Sequence, residues 1–67
     1  MSMAVQKGDK VRWNTSQGMT HGRAVEKRVR PFEFDGQRFN ANGEDPYWIV
    51  ESDKTGARAA HKESSLS

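Results

Sequence analysis

Tyr47-Trp48-Ile49-Val50-Glu51 is the stretch that decides the fold. It is the most β-prone run of the chain, made almost entirely of aromatic and β-branched residues that suit a pleated surface. Successive side chains of a strand point to opposite faces, so bulky apolar residues at both parities imply cover on both sides and hence a central strand. Neighbours Tyr47 and Trp48 cannot share a face, and one of the two rings is expected to point outward. The turn formers Asn40-Ala41-Asn42-Gly43-Glu44-Asp45-Pro46 deliver the run. Asp53-Lys54-Thr55-Gly56 has the polar start and terminal glycine of a tight turn, so residues 57–61 are expected to pair back on it.

Upstream, Lys7-Gly8-Asp9 leads into a first strand over residues 10–14, with Val11 and Trp13 on one face and polar residues on the other. Thr15-Ser16-Gln17-Gly18 is a connection of turn formers, and its Asn14-Thr15-Ser16 glycosylation sequon is read as a turn. Residues 19–29 form a long strand that bends, with Gly22 as the bend or close-packing point. Its faces stay open: burying Val25 and Val29 also turns Lys27 inward, while burying Gly22 and Ala24 puts Glu26 beside them. A bulge reconciles the two. After Pro31, Phe32-Glu33-Phe34-Asp35-Gly36-Gln37-Arg38-Phe39 reads as two short arms around an Asp-Gly hairpin turn, a hairpin expected to protrude. Lys62-Glu63-Ser64-Ser65-Leu66-Ser67 reads as a short closing turn, with Leu66 plugging one end.

No segment has helical length and period, and the fold class expected is all-β, a small five-stranded SH3-like barrel whose closure limits exposed edges. A five-stranded open sheet is the alternative. The 67 residues allow one domain, 1–67, with residues 1–6 a flexible N-terminus and 63–67 flexible or a closing turn. So short a chain buries only about 60% of its unfolded surface, so the core must be economical. The absence of cysteine removes disulfides, thiolate metal sites and cysteine nucleophiles, and fits a reducing compartment. Neither a secretory leader nor a membrane span is read at the start of the chain, and a cytoplasmic location is expected. Eleven basic and nine acidic side chains give a net charge of +2, a balance that permits nucleic-acid contact without requiring it. Mean hydropathy is low at -1.00, yet six aromatic residues in short patterned segments argue for a folded core rather than disorder.

Lys7-Gly8-Asp9-Lys10-Val11 with Trp13-Asn14-Thr15, Gly18 with Thr20-His21-Gly22, Tyr47 with Val50-Glu51-Ser52-Asp53-Lys54-Thr55-Gly56, and Ala59-Ala60-His61-Lys62 together resemble the hypervirulence-associated Tudor-domain family of small bacterial and fungal proteins. The resemblance spans nearly the whole chain. It implies a Tudor-like, SH3-type barrel without catalytic activity, and it carries no ligand with it. Glu63 stands where that family has a proline after the Ala-His-Lys stretch.

Trp13, Phe39, Tyr47 and Trp48 are the candidate ligand-binding rings: converging at one end of a barrel, they would hold a methylated cation against their faces, although rings also dominate small cores. Arg23, Lys27, Arg28, Arg30 and Arg38 are the candidate nucleic-acid-binding cations, interleaved with Phe32, Phe34 and Phe39, as phosphate contact and base stacking require. The competing reading is a solvated face neutralised by Glu26, Glu33 and Asp35. His61 lacks a nucleophile or an orienting carboxylate pair and is read as structural; His21 is read as exposed. Asp53-Lys54-Thr55-Gly56 also spells the phosphorylated loop of cation-pumping ATPases, but Ala57 follows it and the chain has no room for the other domains of that chemistry. The expectation is a non-catalytic binding module without metal or cofactor, whose partner is a nucleic acid or a protein segment, with no membrane contact, as a monomer or weak homo-oligomer. The alternative is an assembly protein that pairs through a strand edge.

Overall fold

A computed structural model describes residues 5–66, and within them the chain is all-β apart from one 3-10 turn. The strands are β1 (Lys10–Thr15), β2 (Gly18–Arg28), β3 (Phe32–Phe34), β4 (Gln37–Phe39), β5 (Tyr47–Ser52) and β6 (Arg58–Lys62), followed by the 3-10 turn Glu63–Ser65. Four of them form an antiparallel sheet in the order β1-β2-β5-β6, while β3 and β4 pair only with each other. The expected five-stranded closed barrel is therefore corrected to six strands in two sheets, with no ladder among the described residues joining β1 to β6. The sixth strand arises because both arms of the expected Phe32–Phe39 hairpin are strands, paired only with each other in a second sheet.

Turn chemistry sets this layout. Asp35 and Gly36 both have positive φ, 52° and 77°, the pair that a two-residue primed turn demands and that Asp-Gly supplies at low cost. In the β1–β2 turn, the Thr15 hydroxyl donates to the Gly18 carbonyl at 2.8 Å and accepts from the Gln17 N–H. The β5–β6 connection is wider than a tight turn: Gly56 N–H donates to the Ser52 carbonyl and Ser52 N–H to the Ala57 carbonyl, both at 2.8 Å.

The long second strand resolves as a bulge at Val25. Ala24 faces Val50 and Glu26 faces Ile49, so one residue of β2 is left over between them. Gly22 and Ala24 thereby turn inward while Glu26 and Arg28 stay with the outer face. A Cβ at Gly22 would run into the Glu51 carbonyl oxygen and lie 2.9 Å from Trp13 Cη2, so only glycine permits the approach of β2 to β5.

Val11, Trp13, Ala24, Trp48 and Val50 form the core on the inner face, with Val5, Ala59 and Leu66 packed against it. Val5 and Leu66 are partly buried against this cluster, and residues 1–4 and 67, on which part of the expectation for the two termini falls, lie outside the described residues. Trp13 and His61 meet with ring centroids 5.6 Å apart although they come from the two outermost strands, so the sheet curls far enough to bring these side chains together while its edge strands stay unpaired with each other. Trp48 donates its indole N–H to Glu63 Oε1 at 2.7 Å, and Glu63 N–H donates to the Pro46 carbonyl at 2.9 Å. Glu63 thus ties the last turn to the core through both its side chain and its backbone, which a proline at this position could not do.

Candidate functional site

The sheet separates the four candidate rings. Trp13 and Trp48 project inward and are 4% and 2% exposed, which makes them core. Tyr47 projects outward, as alternation requires, and is half-buried by the hairpin, where Phe32 and Phe39 meet it at centroid distances of 5.8 and 5.3 Å. Phe32 and Phe39 stack on each other at 5.2 Å. A bound cation needs its own place within about 6 Å of each ring face, and rings already touching leave none between them. The four-ring cage is corrected accordingly: two rings fill the core and two fasten the hairpin, which packs on the sheet instead of protruding freely.

All five candidate cations, Arg23, Lys27, Arg28, Arg30 and Arg38, are exposed. Arg28 is held by Glu26 at 3.2 Å and lies over the Phe32 ring at 5.7 Å. Arg38 faces Glu33 on the solvent side of the hairpin, and Arg30 sits in the β2–β3 connection. Only Arg23 joins a larger arrangement. Strand register sets Lys10 opposite Arg23, Arg23 opposite Glu51, and Glu51 opposite Arg58, one row straight across the outer face of the sheet. Arg12, two residues along β1, adds a fourth cation to that face. Like charges directly opposite each other destabilise a sheet, and no acid lies within ion-pair distance of Lys10, Arg12 or Arg23 among the described residues. Glu51 reaches Arg58 at 3.7 Å, and Asp53 is engaged by His21 at 3.3 Å.

Lys10, Arg12 and Arg58 were missed as site residues because they are scattered along the chain and become neighbours only through pairing. The signal was present as polar alternation in residues 10–14, but a polar strand face reads as solvated until its cross-strand partners are known. His61 is half-buried on the inner face, and that burial pushes its pKa below the ordinary 6.5. Lys62 is tied instead to Asp45 at 3.2 Å, a hydrogen bond that raises its pKa.

A second concavity opens at the far end of the curled sheet, between the β1–β2 turn and the β5–β6 connection, with Trp13 and Ala59 in its lining. Across these elements, the family model for the hypervirulence associated proteins TUDOR domain matches residues 8–66. No curated protein and no solved structure matches the chain.

Proposed function

The chain belongs to the hypervirulence-associated protein Tudor-domain family, and from that premise we propose that it is a non-catalytic binding module on an SH3-like scaffold that holds single-stranded nucleic acid across the outer face of its sheet. The curl that brings Trp13 onto His61 supports the scaffold, an SH3-like sheet left open at its edges.

The observation that carries the reading is the Lys10–Arg23 pair. Two cations face each other across β1 and β2 with no acid within ion-pair distance among the described residues. A polyanion relieves that repulsion, and condensed counterions released from the phosphates add to the gain. Arg12 and Arg58 widen the row. A strand-edge assembly is less well supported. The free edge of β1 carries Lys10 and Arg12, the kind of charge that discourages pairing, and the hairpin lies beside β6, where Phe39 and Ala60 line one cleft.

The test is anisotropy of a labelled single-stranded oligonucleotide in a salt series. Three phosphate contacts predict a logarithmic salt slope of about −2, which is a loss of roughly twentyfold between about 50 and 200 mM salt. Lys10→Glu is expected to weaken binding and flatten that slope by about one contact. A slope near zero, or binding indifferent to Lys10→Glu, overturns the reading.

A further inference from the structure

The concavity at the turn end has a chemistry distinct from the outer face. It encloses about 330 Å3 and is walled by both turns, with Trp13 and Ala59 on the inner side and Met19, 60% exposed, at its margin. That volume is at the lower end of what small-molecule sites use. Its lining contains no aspartate or glutamate. Asp53, the nearest acid in sequence, is turned to His21 instead.

Donors, by contrast, are abundant. Ser52 Oγ accepts from Lys54 N–H and Thr55 Oγ1 accepts from Ala57 N–H, both at 3.2 Å. Each hydroxyl is thus fixed as an acceptor toward its own turn, and its proton is left to donate outward. Thr20 adds a third hydroxyl from the inner face of β2, and Lys54 adds an ammonium that has no ion pair among the described residues. Arg58 also borders the space, but its guanidinium is drawn to Glu51 on the outer face.

An acid-free set of donors around a concavity with Met19 and Ala59 in its lining, and the small exposed edge of Trp13 beside them, selects one anionic group on an apolar body. We infer that this concavity binds a small monocarboxylate with an apolar, ring-sized body, its carboxylate at Lys54, Ser52 and Thr55 and its body against Met19 and Ala59, touching Trp13 only at its exposed edge. The site adjoins the nucleic-acid face at Arg58 but uses none of that face's cations to hold the carboxylate, and it stands or falls without that reading.

Two-dimensional NMR titration with phenylacetate, using 2-phenylethanol as the matched neutral probe, tests it. The expected result is shifts at the Trp13 indole and at Met19, Thr20, Ser52 and Thr55, with phenylacetate binding about tenfold more tightly than the alcohol because one partner of the hydrogen bonds is charged. Lys54→Met, a change in an exposed turn, is expected to remove most of that preference. Equal affinity for acid and alcohol overturns the inference, as does a preference that survives Lys54→Met. Shifts confined to Arg12 and Arg23 would place the acid on the outer basic face and overturn it equally.

Discussion

The two faces of the four-stranded sheet are built from the same strands and behave as opposites. Inward, Val11, Trp13, Ala24, Trp48 and Val50 close into a core. Outward, the face is divided: at one end Ile49 is buried and Phe32, Phe39 and Tyr47 pack together, while at the other Lys10, Arg12, Arg23 and Arg58 stand in solvent around Glu51. Alternation guarantees that any strand has a second face, but not that this face will be quiet. Here the β3–β4 hairpin covers only the aromatic end, and what is left exposed is charge of one prevailing sign. Stability is concentrated on the first face and the proposed binding on the second, so substitutions should separate the two properties.

The largest effect falls on the inner face. Trp48→Ala removes a core ring that is only 2% exposed and leaves the Glu63 carboxylate without its indole donor; a loss of about 3–5 kcal/mol is expected, enough to unfold much of so small a domain. Urea unfolding followed by far-UV circular dichroism measures it, and a loss below about 1 kcal/mol would mean that Trp48 is not core. Gly22→Ala is next, at about 2–3 kcal/mol, because its Cβ collides with the Glu51 backbone, which cannot yield as a side-chain tip would. Gly36→Ala should cost about 1 kcal/mol from its φ of 77° alone.

On the outer face the sign reverses. Lys10→Glu replaces a like-charge cross-strand pair with an attractive one opposite Arg23, so stability should rise by roughly 0.2–1 kcal/mol while oligonucleotide affinity falls. A variant that lost both would erase the distinction between the faces.

His61 sharpens the comparison through pH. Burial favours its neutral form, so the folded pKa lies below the unfolded one and, as pH falls, the folded state binds fewer protons than the unfolded state. The His61 contribution to stability is therefore fully present above pH 6.5 and is lost as pH falls through the lowered folded value. A thermal-melt series from neutral to mildly acid pH should show this decline, and His61→Gln should remove the part due to this ring.

Local chemistry made much of the architecture legible beforehand. Asp35-Gly36 announced its hairpin because φ > 0 is needed twice in succession, and the parity of Tyr47 and Trp48 announced opposite faces for the two rings. Gly22 was readable as a close-packing point, and a bulge was the one device able to reconcile the patterns around Val25. What stayed hidden depended on contacts distant in sequence. Nothing local says that Phe32 and Phe39 will choose Tyr47 and not a barrel interior, so the ring set looked like one cage when the sheet runs between its halves. The basic row was hidden for the same reason, since Lys10, Arg23 and Arg58 belong to three strands and only register aligns them.

The most direct measurement is backbone-amide chemical-shift mapping with a short single-stranded oligonucleotide, comparing alternate residues along β1, β2 and β6. The account predicts that shifts concentrate at Lys10, Arg12, Arg23 and Arg58 and fade as salt is added, while Val11, Trp13 and Ala59 move little. Shifts centred on the inner-face residues, or an outer face that stays silent at millimolar oligonucleotide, would contradict it.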